Sequence, residues 1–224
     1  VAFVTPLEYA REGAGYVIVP GVAFSSHLPY GAVTLHFREG VRAVSSMAVD
    51  PATPAEVVLA AILLHEQFDV HASVIPVAGE LDRMLQKADA ALLAGNASLR
   101  QSALRPGSLD LVEHWIDLTG LPYVHGFWCT RPGLLSPQEI AAFAEAAAEA
   151  AEESASLTPS LLDPGLPPID PDDLVALLDA TAYVFNEPEQ QAVEQYLRYA
   201  FYHGILPDVP ELRFAGEDES SPIH

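Results

Sequence analysis

The sequence predicts an α/β fold, in which short strands alternate with helices. Runs rich in valine, leucine, isoleucine and aromatic residues recur along the chain, and segments of helical composition separate them. Half of the 224 residues are hydrophobic and 18% are charged, a balance typical of globular proteins rather than disordered chains. No apolar run approaches the roughly 20 residues that cross a bilayer. We therefore expect a globular α/β protein.

The individual elements follow from these runs in chain order. Strands are expected at 1–4, 16–19, 31–37, 46–50, 71–77, 90–94 and 123–130. Helices are expected at 53–68, 80–87, 110–118, 136–154, 170–179 and 187–203. The segment 157–171 is rich in proline and serine and is expected to form a surface loop. The polar, acidic tail 216–224 is expected to be loosely held.

Two of the predicted helices begin with a recognisable signal. The run T-P-A-E from Thr53 to Glu56 has the pattern of a capping box, with proline at the first helical position. The run S-P-Q-E from Ser136 to Glu139 repeats that pattern before a segment rich in alanine and glutamate. Both patterns predict a hydroxyl and a glutamate that satisfy the first backbone N–H groups of their helix.

The charge balance restricts the partners of the protein. The formal net charge is −21, and Lys87 is the only lysine in the sequence. A surface this acidic repels phosphate backbones and anionic lipids, so nucleic acid and membranes are not expected partners. Cys129 is the only cysteine, which excludes a disulfide framework within the chain and makes the cytoplasm the expected compartment.

Motifs for metal, phosphate or nucleophilic chemistry are not apparent. His65 and Glu66 begin a phrase like H-E-x-x-H, but position 69 is aspartate, so we expect no metal site there. There is no G-x-S-x-G elbow and no glycine-rich phosphate loop. Cys129 lies in an apolar aromatic stretch and is expected to be an inert core thiol. The remaining candidates are the junctions where a strand leads into a helix, because ligands of open α/β sheets bind there.

Four phrases of the sequence carry a specific resemblance. They are AFVTPLEYAR at 2–11, VPGVAFSSHLPYGAVTLHF at 19–37, ADAALLAGNASL at 88–99 and DLVEHWIDLTGLPYVHGFW at 110–128. In order and spacing they resemble the family of chorismate dehydratase and 1,4-dihydroxy-6-naphthoate synthase, from the futalosine route to menaquinone. The Thr-Gly-Leu-Pro run between two tryptophans is the most distinctive part. The resemblance extends from residue 1 to about residue 128 and is less sharp beyond.

The resemblance implies a fold and an activity. Members of this family look like type-2 periplasmic binding proteins, with two lobes and a substrate cleft. The implied lobes are 1–45 with 129–224, and 46–128. The implied reaction is the loss of water from chorismate to give 3-[(1-carboxyvinyl)oxy]benzoate, a hydro-lyase reaction on a small anionic carboxylate that requires no cofactor. A non-catalytic small-molecule-binding protein on the same scaffold, or an inactive truncated relative, are the alternatives.

The same resemblance implies which residues bind the substrate and which have changed. The substrate-binding set is Thr5, Ser25, Ser26, Thr53, Ala55, Glu56, Gly95 and Asn96, and no catalytic residue is identified. The two serines at 25 and 26 match the family. Thr5 and Pro6 stand where the family has Ser-Ser, the run from Thr53 to Glu56 replaces Ser-x-Thr-Ser, and Asn96 replaces Asp. A carboxylate at Glu56 is expected to fold back to the Thr53 N–H group and to repel an anionic ligand.

The beginning of the sequence carries one further expectation. The family places a strand and a helix before the segment that matches residue 1, including a motif with asparagine linked to substrate. We therefore expect this sequence to lack that unit, and expect strand 1–4 to have an uncovered flank.

Overall fold

The computed structural model describes residues 1–12, 15–101, 107–154 and 171–216. The strands are β1 Ala2–Val4, β2 Val17–Ser26, β3 Val33–Phe37, β4 Ser46–Val49, β5 Ser73–Pro76, β6 Ala90–Ala94, β7 Leu109–Asp110, β8 Tyr123–Thr130 and β9 Thr181–Phe185. The helices are α1 Pro6–Glu12, α2 Pro54–Phe68, α3 Leu81–Leu85, α4 Asn96–Leu99, α5 Leu111–Thr119, α6 Pro137–Ser154, α7 Pro171–Ala180 and α8 Glu187–Tyr202. The expected loop lies outside the described residues from 157 to 170, as does the expected loose tail from 217 onward.

The described residues form two compact units. The first contains 1–12, 15–25, 123–154 and 181–216, and the second contains 26–101, 107–122 and 171–180. These divisions fall earlier in the chain than the lobe boundaries proposed at residues 45 and 128. The reason is sheet pairing: β3 joins the sheet of the second unit through β6, whereas the whole of β8 joins the sheet of the first.

The first unit is built on a four-stranded sheet in the order β1-β8-β2-β9. Its core includes Leu7, Tyr9 and Phe127, and the rings of Tyr9 and Phe127 meet edge to face with centroids 5.6 Å apart. From α8, Val193 and Leu197 are fully buried, so this face of the helix supplies much of the apolar surface that the unit removes from water.

The second unit is built on a five-stranded sheet in the order β5-β4-β6-β3-β7. Strand β4 runs parallel to both β5 and β6, whereas β3 is antiparallel to β6 and to β7. Helix α2 contributes a nearly continuous buried face, including Leu59, Ile62 and Leu63. Because β4 and β6 run parallel, the turns that follow these two strands lie at the same edge of the sheet.

Strand β1 is the end strand of the first sheet among the described residues. It pairs antiparallel with β8, with Ala2 opposite Cys129 and Val4 opposite Phe127, and its other flank meets no described strand. Phe3 is 46% exposed and rests edge-on against Trp128. The strand is therefore held to the unit mainly by one ladder and one ring contact.

Replacing Gly126 with Ala should weaken that attachment. A Cβ atom at residue 126 would lie 2.6 Å from the Phe3 ring and 2.7 Å from the carbonyl oxygen of Val4, and a backbone atom cannot swing aside as a side chain can. We expect a loss of about 1–3 kcal/mol in the free energy of unfolding, the usual range for overpacking. Urea unfolding measures it. Gly15→Ala is the control, because that Cβ meets nothing within 4 Å, and equal stability of both variants would contradict the packing of β1 on β8.

Candidate functional site

The carboxyl edge of the second sheet brings several predicted residues to one place. Strands β4 and β6 are parallel neighbours, with Met47 opposite Ala90 and Ala48 opposite Ala91. Both strands therefore end at the same edge, where one leads into α2 and the other into α4. In sheets of this kind, ligands bind outside the carboxyl ends of the strands. We call this edge, with the turns from Asp50 to Glu56 and from Gly95 to Asn96, the carboxyl edge.

The start of α2 differs from the sequence prediction. Thr53 is the residue before the first turn, but its side chain makes no capping hydrogen bond, and its φ of −119° and ψ of 56° depart from the extended cap conformation. Its hydroxyl donates instead to the carbonyl oxygen of Asp50 at 3.0 Å, and its N–H donates to the same oxygen at 3.1 Å. The prediction of a capping box was wrong here, because the turn formed by Asp50 competes for both groups of Thr53.

The first turn of α2 places backbone N–H groups and one acidic residue at this edge. Ala55 is buried, with 1% exposure, and Glu56 is half-buried in the first turn. The Val57 N–H donates to the Thr53 carbonyl at 3.1 Å, so regular helical bonding begins there. The helix has 15 residues, and the positive end of its dipole lies at this turn together with the Glu56 carboxylate.

The turn after β6 requires glycine. Gly95 has φ 55° and ψ −135°, a conformation open essentially to glycine alone, and its N–H donates to the Ala32 carbonyl at 2.8 Å. This bond holds the turn against the start of β3. Asn96 follows and is exposed, so its amide faces solvent at the edge. Helix α4 is a single short turn of four residues.

A buried polar group beneath α4 was not anticipated from the sequence. The Thr34 hydroxyl lies 2.9 Å from Nε2 of His36 and 2.6 Å from the Ser98 hydroxyl. The three side chains are at most 2% exposed. The one sequence signal was a pair of polar residues, Thr34 and His36, at alternate positions of an otherwise apolar strand, but Ser98 lies 64 residues from Thr34. The trio ties α4, and with it the Gly95 turn, to the sheet.

The remaining predicted residues lie elsewhere. Ser25 and Ser26 end β2 and are fully buried. Thr5 belongs to the first unit and begins α1, where it does form a capping box: its N–H and hydroxyl donate to the Glu8 carboxylate at 2.9 and 3.0 Å, and its Oγ1 accepts from the Glu8 N–H. The carboxyl edge therefore joins Thr53, Ala55, Glu56, Gly95 and Asn96.

The opposite edge of the same sheet is held by Asp89. Its carboxylate accepts hydrogen bonds from the Ser45 hydroxyl at 2.7 Å, the Ser45 N–H at 3.1 Å and the Ser46 hydroxyl at 3.0 Å, and it pairs with Arg38. The Ser45 hydrogen bonds are the main reason that the pKa of Asp89 falls to about 2. These bonds hold β4 beside β6 and so fix the register of the two strands that lead to the carboxyl edge.

Burial shifts the pKa of His125 and of Cys129 in the first unit. Burial lowers the pKa of His125 to about 4, so its imidazole, stacked on Phe24 with centroids 5.0 Å apart, is neutral at neutral pH. Burial raises the pKa of Cys129 to about 12, which agrees with the expectation of an inert core thiol.

A group of possible metal ligands lies at the other end of α2. His65, Asp69 and His71 place ligand atoms within 4.8 Å of one another. No metal site was expected from the sequence because position 69 is aspartate, whereas in the structure His71, two residues further on, supplies the second imidazole. Across the described residues, every helix is too short or too polar to cross a bilayer.

Comparisons with known proteins agree with this architecture. A family model described as menaquinone biosynthesis matches residues 1–202. Protein AF1704 from Archaeoglobus fulgidus is 21% identical, with 91% of this chain and 79% of that chain covered and a TM-score of 0.55. The crystal structure of an ABC transporter from Parabacteroides distasonis is 16% identical, with 97% and 81% covered and a TM-score of 0.61. These likenesses confirm the two-unit α/β fold of the binding-protein type.

Proposed function

The chain belongs to the menaquinone-biosynthesis family whose model matches residues 1–202, and we propose that it is a chorismate dehydratase-like lyase within that family. The family match carries this proposal, since it covers nearly the whole chain. The binding-protein type of fold supports a small molecule as the proposed substrate. The proposed enzyme is cytoplasmic, and the single buried thiol is consistent with that compartment. Fractionation of the source cells tests the location, and recovery of the protein from an exported fraction would contradict it.

The proposed reaction is the elimination of water from chorismate, and every atom of chorismate is found in the two products. One ring proton and one hydroxyl group of chorismate leave as water, and the ring becomes the aromatic ring of 3-[(1-carboxyvinyl)oxy]benzoate. No electron is transferred to or from another compound. The protein must bind two carboxylates, orient the ring and offer hydrogen bonds to the charge that develops as the hydroxide leaves. No residue is assigned to the proton transfer.

The carboxyl edge offers donors suited to one substrate carboxylate. The positive end of the α2 dipole favours an anion, the Asn96 amide is exposed, and the Gly95 turn lets a ligand approach the backbone closely. We therefore propose Thr53, Ala55, Gly95 and Asn96 as substrate-binding residues. Thr5, Ser25 and Ser26 stay in the proposed set by resemblance to the family, and Glu56 is the member that opposes binding.

A double variant, Thr53→Ala with Asn96→Ala, should bind chorismate at least about tenfold more weakly, because the Asn96 amide donor is lost and the turn before α2 loses the bond from the Thr53 hydroxyl to Asp50. Loss of that bond also costs about 0.5–1.5 kcal/mol of stability. Ser73→Ala is the matched control, since the Ser73 hydroxyl also donates to a backbone carbonyl but at the amino end of β5. Isothermal titration compares the three proteins. Unchanged affinity in a folded double variant would remove both residues from the site.

Turnover separates this proposal from a second one. The second is a binding protein without catalysis, and the carboxylate of Glu56 in the first turn of α2 favours it only in that it opposes chorismate as the natural ligand. Incubation with chorismate, followed by chromatography against authentic 3-[(1-carboxyvinyl)oxy]benzoate, should give that product in proportion to enzyme. Binding without product would support the second function, and neither binding nor product would indicate an inactive relative.

A further inference from the structure

We propose that His65, Asp69 and His71 form a surface site for a divalent transition-metal ion, with Zn²⁺ as the representative ion. The three side chains come from the last turn of α2 and the segment leading to β5, away from the carboxyl edge. The site is therefore independent of the proposed lyase activity, and chorismate is not its ligand.

The ending of α2 brings the three ligands together. Asp69 has φ 53° and ψ 38°, the left-handed conformation, and it is the only non-glycine residue with positive φ among those described. Its N–H donates to the His65 carbonyl at 3.0 Å, and the Val70 N–H donates to the Leu64 carbonyl at 3.0 Å. These bonds turn the chain back over the helix end, so that His71 returns to His65 and the two rings lie 4.5 Å apart between centroids.

The side chains can close on an ion with small rotations. Their ligand atoms lie within 4.8 Å of one another, whereas ligands about 2.0–2.2 Å from a tetrahedral Zn²⁺ are roughly 3.4 Å apart. Asp69 and His71 are exposed and His65 is half-buried, so rotation of the two outer ligands meets little resistance. A water molecule would complete the tetrahedron, as it does where three protein groups hold the ion.

Glu66 supports the first of these ligands. Its Oε1 lies 3.2 Å from Nδ1 of His65. A carboxylate on one ring nitrogen orients a histidine and raises its basicity, which is the usual arrangement behind a metal-binding imidazole. With Nδ1 facing Glu66, Nε2 is the nitrogen that would bind the ion.

The chemistry of the ligands selects the class of ion. Two imidazoles and one carboxylate suit zinc, copper, nickel or iron(II), whereas magnesium and calcium require a shell of oxygen ligands. The net charge of −21 raises the local concentration of any cation near the surface, but it does so without preference between these classes. Selective binding of Zn²⁺ over Mg²⁺ therefore distinguishes a specific site from the general attraction of cations to an acidic surface.

Titration of the untagged chain with Zn²⁺, against a chromophoric chelator, tests the proposal. We expect Asp69→Asn and His71→Ala each to weaken Zn²⁺ binding by on the order of 10–100-fold, and Mg²⁺ in excess not to compete. Asparagine accepts the left-handed conformation, so Asp69→Asn removes charge without backbone strain. His27→Ala, which removes an exposed histidine outside the group, is the control and should bind as the parent does.

Thermal unfolding gives a second readout. At one Zn²⁺ concentration, the melting temperature of the parent chain and of His27→Ala should rise by the same amount, and that of Asp69→Asn should rise less. Equal Zn²⁺ affinity in the parent, Asp69→Asn and His71→Ala would overturn the proposal, and so would a parent chain that binds no Zn²⁺. Neither result would bear on chorismate turnover, which is assayed without added metal.

Discussion

Glu56→Ser is expected to tighten chorismate binding by up to about three powers of ten. Glu56 lies in the first turn of α2, where the helix dipole would otherwise attract a substrate carboxylate. Two like charges about 4 Å apart repel by on the order of 4 kcal/mol at an effective dielectric of about 20, before screening by salt. Each 1.4 kcal/mol is about tenfold in affinity, so removing the charge gives a gain of that size at most. The parent chain should accordingly bind chorismate weakly.

Isothermal titration of the parent and of Glu56→Ser measures this gain. Glu113→Ser is the matched control, because Glu113 also lies in the first turn of a helix of the second unit, α5, after β7. Three strand spacings separate β7 from β4 in the sheet, roughly 14 Å, where exposed charges are largely screened. Tight chorismate binding by the parent, with no change in Glu56→Ser, would show that the carboxylate points away from the ligand.

Trp115→Ala is expected to cost about 3–5 kcal/mol of stability, the usual range for truncating a buried tryptophan. Trp115 is fully buried in α5, and its Nε1–H donates to the Pro122 carbonyl at 2.9 Å. That bond fastens the T-G-L-P turn that leads into β8. Trp115→Phe keeps most of the volume and loses the hydrogen bond, so it should cost less than the alanine variant, about 1–3 kcal/mol.

Urea unfolding followed by circular dichroism separates these two contributions. Trp128→Phe is the control, since Trp128 is half-buried and belongs to the first unit, and its cost should be smaller than that of Trp115→Phe. If Trp115→Phe is as stable as the parent, the hydrogen bond to Pro122 does not contribute to the turn.

The sequence run [S/T]-P-x-E shows what a local pattern can and cannot predict. It occurs at residues 5, 53 and 136, and the capping box forms at the first and third. At the third, the Ser136 N–H and hydroxyl both donate to the Glu139 carboxylate at 2.8 Å, and these bonds lower the pKa of Glu139. At Thr53 the box fails because Asp50, three residues earlier, accepts from both the hydroxyl and the N–H. The pattern correctly marked the two helix starts predicted from it, at residues 53 and 136, and it also begins α1, a helix that was not predicted. Whether the capping box forms at a start depended on a residue outside the pattern.

Two causes, one long-range and one local, explain the features that sequence reasoning missed. The trio of Thr34, His36 and Ser98 depends on the register of β3 against β6, which no local pattern contains. Strand β9 was not predicted because it follows α7 directly, without the turn residues that mark a strand boundary. The family resemblance succeeded where local patterns could not, because the order of its phrases reflects the whole fold.

Product analysis after incubation with chorismate tests the central claim most directly. The parent chain and Glu56→Ser are compared at the same enzyme concentration over a range of chorismate concentrations. We expect 3-[(1-carboxyvinyl)oxy]benzoate and water from both, with a lower KM for Glu56→Ser. Chorismate that remains unchanged with both folded proteins, at concentrations that saturate binding, would contradict the claim.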